Sequence, residues 1–234
     1  DEMIRCDSLT KEYDGLDDKV TKETFVNPEF KNGKITSYKS VTKEYDYKDH
    51  PNKLKSTLNI NPEIENGYVK KYESQTLEYA YKEQPDKLKS ISCVNSEFGK
   101  NGNLIHCKSQ TLEYAYKERP DKLKSRSYAN PEFDGNGKLI RCDSLTKEYD
   151  SKESPDKLKS KSYVNPEFDG NGKLIRCDSL TTEYNGRDDK VKKETFVDYR
   201  FGEYRKHITE FEDGRIVEES RPQRHHMFQK EKAR

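Results

Sequence analysis

The sequence predicts an all-β protein: an elongated tandem-repeat antiparallel sheet, built as a largely single-layer meander of β-hairpins, with a β-solenoid as the alternative. Three observations carry this reading. The first is a period. An asparagine opening Asn-Pro-Glu-Phe or a close variant recurs at Asn27, Asn61, Asn95, Asn130 and Asn165, with Asp198 in the sixth copy, so the spacing is 34, 34, 35, 35 and 33 residues. A Glu-Tyr pair keeps the same time at Tyr13, Tyr45, Tyr79, Tyr114, Tyr149 and Tyr184. Fixed periods of this size belong to arrays whose units bury surface against their neighbours. The second is alternation with period two within each half-repeat, and the third is a hairpin turn between copies.

The copy from Lys138 to Phe168 shows the alternation most clearly. Its first half sets Leu139, Arg141, Asp143, Leu145, Lys147 and Tyr149 on one face and Ile140, Cys142, Ser144, Thr146 and Glu148 on the other. Its second half sets Leu158, Ser160, Ser162, Val164 and Phe168 against Lys157, Lys159, Lys161, Tyr163, Asn165 and Glu167. A helix is excluded by the recurring prolines, Pro155 and Pro166 in this copy, and by the lack of a sustained three-to-four apolar spacing.

Copies are joined at Asn32-Gly33, Asn66-Gly67, Asn101-Gly102, Asn136-Gly137 and Asn171-Gly172, and Asn-Gly suits the two positive φ angles of a type I′ hairpin turn. Copies reading Phe-Asp-Gly-Asn-Gly-Lys carry one residue more than Phe30 to Lys34, expected as a bulge beside the turn. The other connection is longer and holds Pro51, Pro85, Pro120 or Pro155 in the four central copies. Pro28, Pro62, Pro131 and Pro166 cannot donate to a ladder, so each second strand is expected to bulge, bend or stop pairing there. Residues 1–220 thus form six copies with a closing hairpin over 205–220, about fourteen strands in all. The basic stretch 221–234 reads as a flexible tail. The chain enters in mid-repeat, as expected if a leader or further repeats precede it.

Composition bounds the function. With 29% hydrophobic and 38% charged residues, the chain has too little apolar surface for a conventional core, yet 16 Tyr and 9 Phe at fixed places and a net charge of +1 argue against disorder. Balanced charge gives no reason to expect nucleic acid, and no apolar run approaches the ~20 residues of a membrane span. Of five cysteines, Cys6, Cys107, Cys142 and Cys177 share one column of the repeat with Tyr38 and Tyr72. In a meander these lie two strand spacings apart, about 9.5 Å, too far for disulfides, so they are expected as free thiols. Free thiols favour a reducing compartment; an exported or surface protein with its leader removed is the alternative.

The pattern resembles the central single-layer sheet of spirochaete outer-surface lipoproteins, in its Lys/Glu-rich strands and solvated faces. It also resembles the hairpin arrays of MORN-type repeats and their bacterial relatives, in its Asn-Gly-Lys turns. MORN units are shorter and built on Gly and Trp or Tyr positions that this chain, with no Trp, does not reproduce. No functional residue is carried over from either.

No catalytic constellation emerges. His106 and Cys107 are neighbours on a strand and point to opposite faces, so the imidazole cannot activate the thiol. His225-His226 sit beside the basic tail without ligand spacing, and Asp17-Asp18 and Asp188-Asp189 lack the alternating oxygen ligands of a calcium loop. No enzyme, cofactor, metal or small-molecule substrate is expected. What recurs is surface. Tyr128 and Tyr163, in a column with Phe25, Asn59, Cys93 and Phe196, together with Tyr149 and its equivalents, form rows flanked by Lys157, Lys159 and Lys161. Tyr beside charge is the composition of protein-contact surfaces. The expected function is a non-catalytic scaffold, spacer or fibre subunit, with a protein partner or self-association; the alternative is a multivalent, adhesin-like binding module.

Overall fold

The computed structural model describes residues 6–15, 18–46, 53–80, 82, 84, 87–115, 121–150, 157–185, 189–200, 203–220 and 223–226. The chain divides into two units, Asp1–Lys124 and Ser125–Arg234. In the first, β1 (Ser8–Tyr13), β2 (Val20–Lys31), β3 (Lys34–Asp46), β4 (Lys53–Glu65), β5 (Tyr68–Tyr79), β6 (Leu88–Phe98) and β7 (Leu104–Tyr114) pair in chain order, each antiparallel to the next. The second follows the same plan with β8 (Leu123–Phe133), β9 (Leu139–Tyr149), β10 (Leu158–Phe168), β11 (Leu174–Tyr184), β12 (Val191–Arg200), β13 (Glu203–Glu212) and β14 (Arg215–Glu219). Two strands per repeat, paired antiparallel, make this a hairpin meander; the solenoid is set aside.

Among the described residues each strand packs only against its sheet neighbours, so within each unit the sheet is a single layer there. Among the described residues the nearly solvent-free side chains are few and small. Ala80 and Ala115 sit at the mouths of turns, and Pro62 in mid-strand is less than 2% exposed.

One irregularity repeats throughout and governs the register. In ten hairpins one residue near the start of the returning strand is extra, immediately after the partner of the strand-end aromatic or of Ile64. In the Asn-Gly hairpins it is Thr36, Lys70, Ile105, Ile140 or Ile175, and in the long-turn hairpins Thr21, Lys55, Lys89, Lys159 or Lys192. A bulge re-aims the residues before it. Strict alternation puts Leu158 on the face of Ser160 and Val164, but the bulge at Lys159 turns it to the other face, directly across from Tyr149. The bulge at Ile140 likewise moves Leu139 away from Arg141 to face Phe133.

The bulge is therefore not confined to the longer copies, as the sequence implied. Their extra residue enlarges the turn instead. Asn32-Gly33 and Asn66-Gly67 both have positive φ, as a type I′ turn requires, whereas at the three longer turns only Gly102, Gly137 and Gly172 do. There the Gly137 N–H donates to the Asp134 carbonyl at 3.0 Å, and Asp134 Oδ1 accepts from the N–H groups of Asn136 and Lys138, both at 2.9 Å. Asp169 repeats this cage, and those two backbone donors hold its carboxyl below the usual value. At the other end, the residue after Tyr closes each long turn: Asp14, Ala80, Ala115, Asp150 and Asn185 donate to the carbonyls of Lys19, Lys87, Lys122, Lys157 and Lys190. Pro51, Pro85, Pro120 and Pro155 lie outside the described residues.

The in-strand prolines interrupt pairing on one side only. The β3–β4 ladder runs from Ser40↔Ile60 to Ser37↔Glu63, and β9–β10 from Ser144↔Val164 to Arg141↔Glu167, skipping Asn61-Pro62 and Asn165-Pro166. Toward the following strand, pairing continues through Pro62↔Tyr72 and Pro166↔Cys177. The copies without this proline supply the control. Ser96 and Tyr199 stand in its place, and there β5–β6 and β11–β12 pair without a gap. The missing N–H thus faces the preceding strand.

The opposite face carries a row of hydroxyls in register, with Oγ contacts at Thr24–Thr42 (3.2 Å), Ser92–Thr111 (3.2 Å), Ser127–Thr146 (3.3 Å) and Ser162–Thr181 (2.9 Å). Beside it, Ser56, Ser90 and Ser160 donate to Glu44, Glu78 and Glu148. Cross-strand pairs of this kind contribute about 0.2–1 kcal/mol each.

Within the stretch expected as a flexible tail, Gln223–His226 form β15, which pairs with Glu203–Lys206 of β13 while β14 pairs with Thr209–Glu212. The register accounts for this: β14 covers only half of β13, and the chain returns to cover the rest.

Ser96→Pro is expected to open at Asn95 and Ser96 the gap seen at Asn61 and Asn165, with a loss of about 1–3 kcal/mol in denaturant unfolding. Amide exchange along β5 and β6 checks it.

Candidate interaction face

The register brings the residues singled out in the sequence to one face, with partners the repeat column did not reveal. Tyr128 and Tyr163 both stand opposite Leu145, and the row continues through Leu180 and Phe196 to His207. Leu145 and Leu180 belong to the first strand of each repeat, so a comparison of second strands alone misses them; only the hairpin register interleaves the two. Tyr163, Leu180 and Phe196 are 39%, 38% and 42% exposed, an uncovered run of three large apolar side chains. The Arg126 guanidinium lies 5.1 Å from the Tyr128 ring centroid, a cation–π contact on this row.

The three lysines do not act alike. Lys161 is on the same face in the adjoining row, opposite Lys147 and Thr182, and is exposed. Lys159 is the exposed extra residue of its bulge. Lys157 is committed elsewhere: its Nζ lies 2.8 Å from Asp189 Oδ2 in the next long turn, as Lys87 lies 2.9 Å from Asp121 two repeats earlier in the other unit. Tyr149 packs across from Leu158 at the end of the strand, on the Tyr163 face. Lys157 is thus removed from the expected flank, while Tyr128, Tyr149, Lys161 and Tyr163 share a face.

On the other side of the aromatic row the second unit carries ion pairs. Arg141 Nε reaches Asp143 Oδ1 at 3.0 Å and Asn165 Oδ1 at 3.2 Å, Arg176 bonds Asp178, and Arg200 Nε lies 2.9 Å from Asp198. Burial pushes the Asp178 carboxyl upward, but Arg176, a hydrogen bond with Asp198 and the Arg200 charge together outweigh it and hold the carboxyl low.

In the first unit the equivalent row reads Leu9, Phe25, Val41, Asn59, Gln75, Cys93 and Gln110. It turns from apolar to amide along its length. Asn59 Nδ2 donates to Gln75 Oε1 at 3.5 Å, and Gln75 Nε2 lies 3.8 Å from Cys93 Sγ. Here the side chains leave an open depression of about 460 Å³, bordered by Lys39, Asn59, Asn61, Glu73, Gln75 and Asn95. At the edge of the same face Glu23 takes an ion pair from Lys11 (2.9 Å) and a hydrogen bond from Tyr45 Oη (2.9 Å), tying β1 to β2 and β3.

All five cysteines are free, and Cys142 and Cys177 stand on β9 and β11 with β10 between them. Burial, with Asp178 beside it, pushes the Cys177 thiol up, which keeps it protonated. Cys107 lies 3.5 Å from Ser96 Oγ, on the opposite side of the strand from His106. Among the described residues no three His, Cys, Asp or Glu side chains gather to hold a metal ion, and no helix is long and apolar enough to cross a membrane.

No known protein-family model matches the chain, and no curated protein matches it.

Lys11 and Tyr45 hold the Glu23 carboxyl below its ordinary value. A depressed folded value contributes stability above the unfolded carboxylate range, lost as pH falls through the folded value. β1 is therefore expected to fray in acid, and Glu23→Gln to remove that pH dependence; amide exchange of Ser8 to Tyr13 against pH checks it.

Proposed function

We propose that the protein is a non-catalytic structural repeat protein, a scaffold, spacer or fibre subunit whose repeated surface and length are its function. The observation that carries this reading is the repeated register: each copy adds two strands in the same pairing, with the same bulges, and extends the same rows of side chains. Such a design extends by copy number without altering any site. The uncovered Tyr163–Leu180–Phe196 run favours one second reading, a binding module that engages a protein partner through several equivalent positions.

Solution scattering tests the first reading. About fourteen strands at ~4.8 Å give a longest dimension of roughly 65 Å or more. A radius of gyration near roughly 17–18 Å, expected for a compact globule of this length, contradicts it.

Deleting residues 80–114 joins Tyr79 to Ala115 at matching points of two copies and removes β6 and β7. A spacer shortens by about 9.6 Å and stays folded. A binding module loses affinity for its partner in steps as copies are removed.

A further inference from the structure

The depression in the first unit lies where two successive copies depart from the repeat. One column of the second strands holds a ring at Phe25, Tyr128, Tyr163 and Phe196, but the two copies between Phe25 and Tyr128 hold Asn59 and Cys93. On the first strand between those two, Gln75 stands where later copies have Leu145 and Leu180. Three large apolar side chains are thus missing from adjacent strands. The open space of about 460 Å³ is what their absence leaves.

The side chains that replace them form two rows across β3 to β6. One row is Val41, Asn59, Gln75 and Cys93. The other is Asn61, Glu73 and Asn95 in register, with Lys39 across the gap that Pro62 opens in the β3–β4 ladder. The amides are weakly engaged with one another. Asn59 and Gln75 meet at 3.5 Å, long for such a bond, and the Gln75 amide has the Cys93 sulfur, a weak acceptor, at 3.8 Å. At the corresponding gap in the second unit Arg141 Nε caps Asn165 Oδ1 at 3.2 Å. Here Ser37 holds the Arg141 position and donates to Glu29 at 2.7 Å, and Asn61 stays exposed.

We infer that this depression is a binding site for a neutral oligosaccharide. The amides of Asn59, Asn61, Gln75 and Asn95 set donors and acceptors side by side, the pattern that sugar hydroxyls, donors and acceptors at once, satisfy. Lys39 and Glu73 bring one charge of each sign, so the lining has no net charge to draw an ion. A peptide is served less well. Its main-chain mode of capture needs an open strand edge, and β4 and β5 are paired on both sides. Its side chains need apolar pockets, and in the two rows only Val41 and Cys93 are apolar. The rows run three strand spacings, about 14 Å, room for about three sugar rings laid across the strands.

The test uses the full chain, a panel of neutral tetrasaccharides (cello-, xylo-, manno-, laminari- and chito-), and iodoacetamide labelling of the cysteines read by peptide mass. At least one sugar is expected to bind saturably and, at about ten times its Kd, to slow alkylation of Cys93 about tenfold. Cys107, Cys142 and Cys177 should react as before. Asn59→Tyr and Gln75→Leu place in this copy the side chains that Tyr163 and Leu180 carry in another, so the fold is expected to hold. Each should weaken binding about fivefold or more, the first by filling the space and the second by removing its central amide. No binding by any sugar, binding without protection of Cys93, or binding that either variant weakens less than about fivefold overturns the proposal. So does protection of Cys93 by a neutral Gly-Ser-Asn hexapeptide and by none of the sugars, which would assign the depression to a polypeptide.

Discussion

The constraint on which the structure depends is cross-strand register, because among the described residues no second layer covers either unit to enforce it from outside. In a sheet packed against a core, a one-residue slip is penalised by moving every apolar side chain into water. Here both faces are wet and that penalty is small. The register is held instead at the strand ends, where in ten hairpins a bulge follows the turn near the start of the returning strand. The bulge sets Tyr149 against Leu158 at one end of β9 and Phe133 against Leu139 at the other, so this strand is pinned by an aromatic-aliphatic pair at both ends. Between the pins the ladder carries polar pairs that add little individually and much by repetition.

This arrangement separates what the two faces do. One face is occupied with holding strands together, through hydroxyl contacts such as Ser162–Thr181 and Ser-to-carboxylate bonds such as Ser160–Glu148. The other varies along a single row, from the exposed apolar run of the second unit to the amides of Asn59 and Gln75 in the first, without any change in backbone. A row that changes chemistry on a constant frame is where recognition would reside. The lysines illustrate how little room the frame leaves: Lys157 serves to clasp one long turn to the next, and only its neighbours along β10 remain on the surface.

Much of this was legible in the sequence. The period, the alternation and the Asn-Gly turns led directly to the meander, and the common face of Tyr128 and Tyr163 follows from counting by twos. Counting by twos fails where the bulges intervene, which is why Leu139 and Leu158 stand on the faces opposite to those the pattern implied. A bulge costs one residue and leaves no characteristic residue type: Thr, Lys and Ile all fill it. The enlarged turns differ from the expectation for a related reason: Asn136-Gly137 and Asn32-Gly33 are the same dipeptide, and the extra residue of the longer copy widens the loop around Asp134 instead of adding a bulge. Prolines within strands argued against full pairing, and they do interrupt it, but on one edge only; a one-sided gap is invisible to a reading that treats a strand as paired or not. Leu145 and Leu180 were missed because they enter the aromatic row only through the pairing between strands.

The most direct test of this account is disulfide trapping in a chain whose five natural cysteines are replaced by serine. Leu145 and Leu180 are one repeat apart in sequence and both flank Tyr163 in the structure. In the meander, cysteines at 145 and 163 lie on paired strands at a non-hydrogen-bonded position, about 4.5 Å between Cα atoms, while cysteines at 145 and 180 are separated by about two strand spacings. The 145–163 pair should therefore cross-link readily under mild oxidation and the 145–180 pair should not. The reverse result, efficient 145–180 bonding with none at 145–163, would mean that successive copies stack as coils, and would contradict the hairpin register on which every row described above depends.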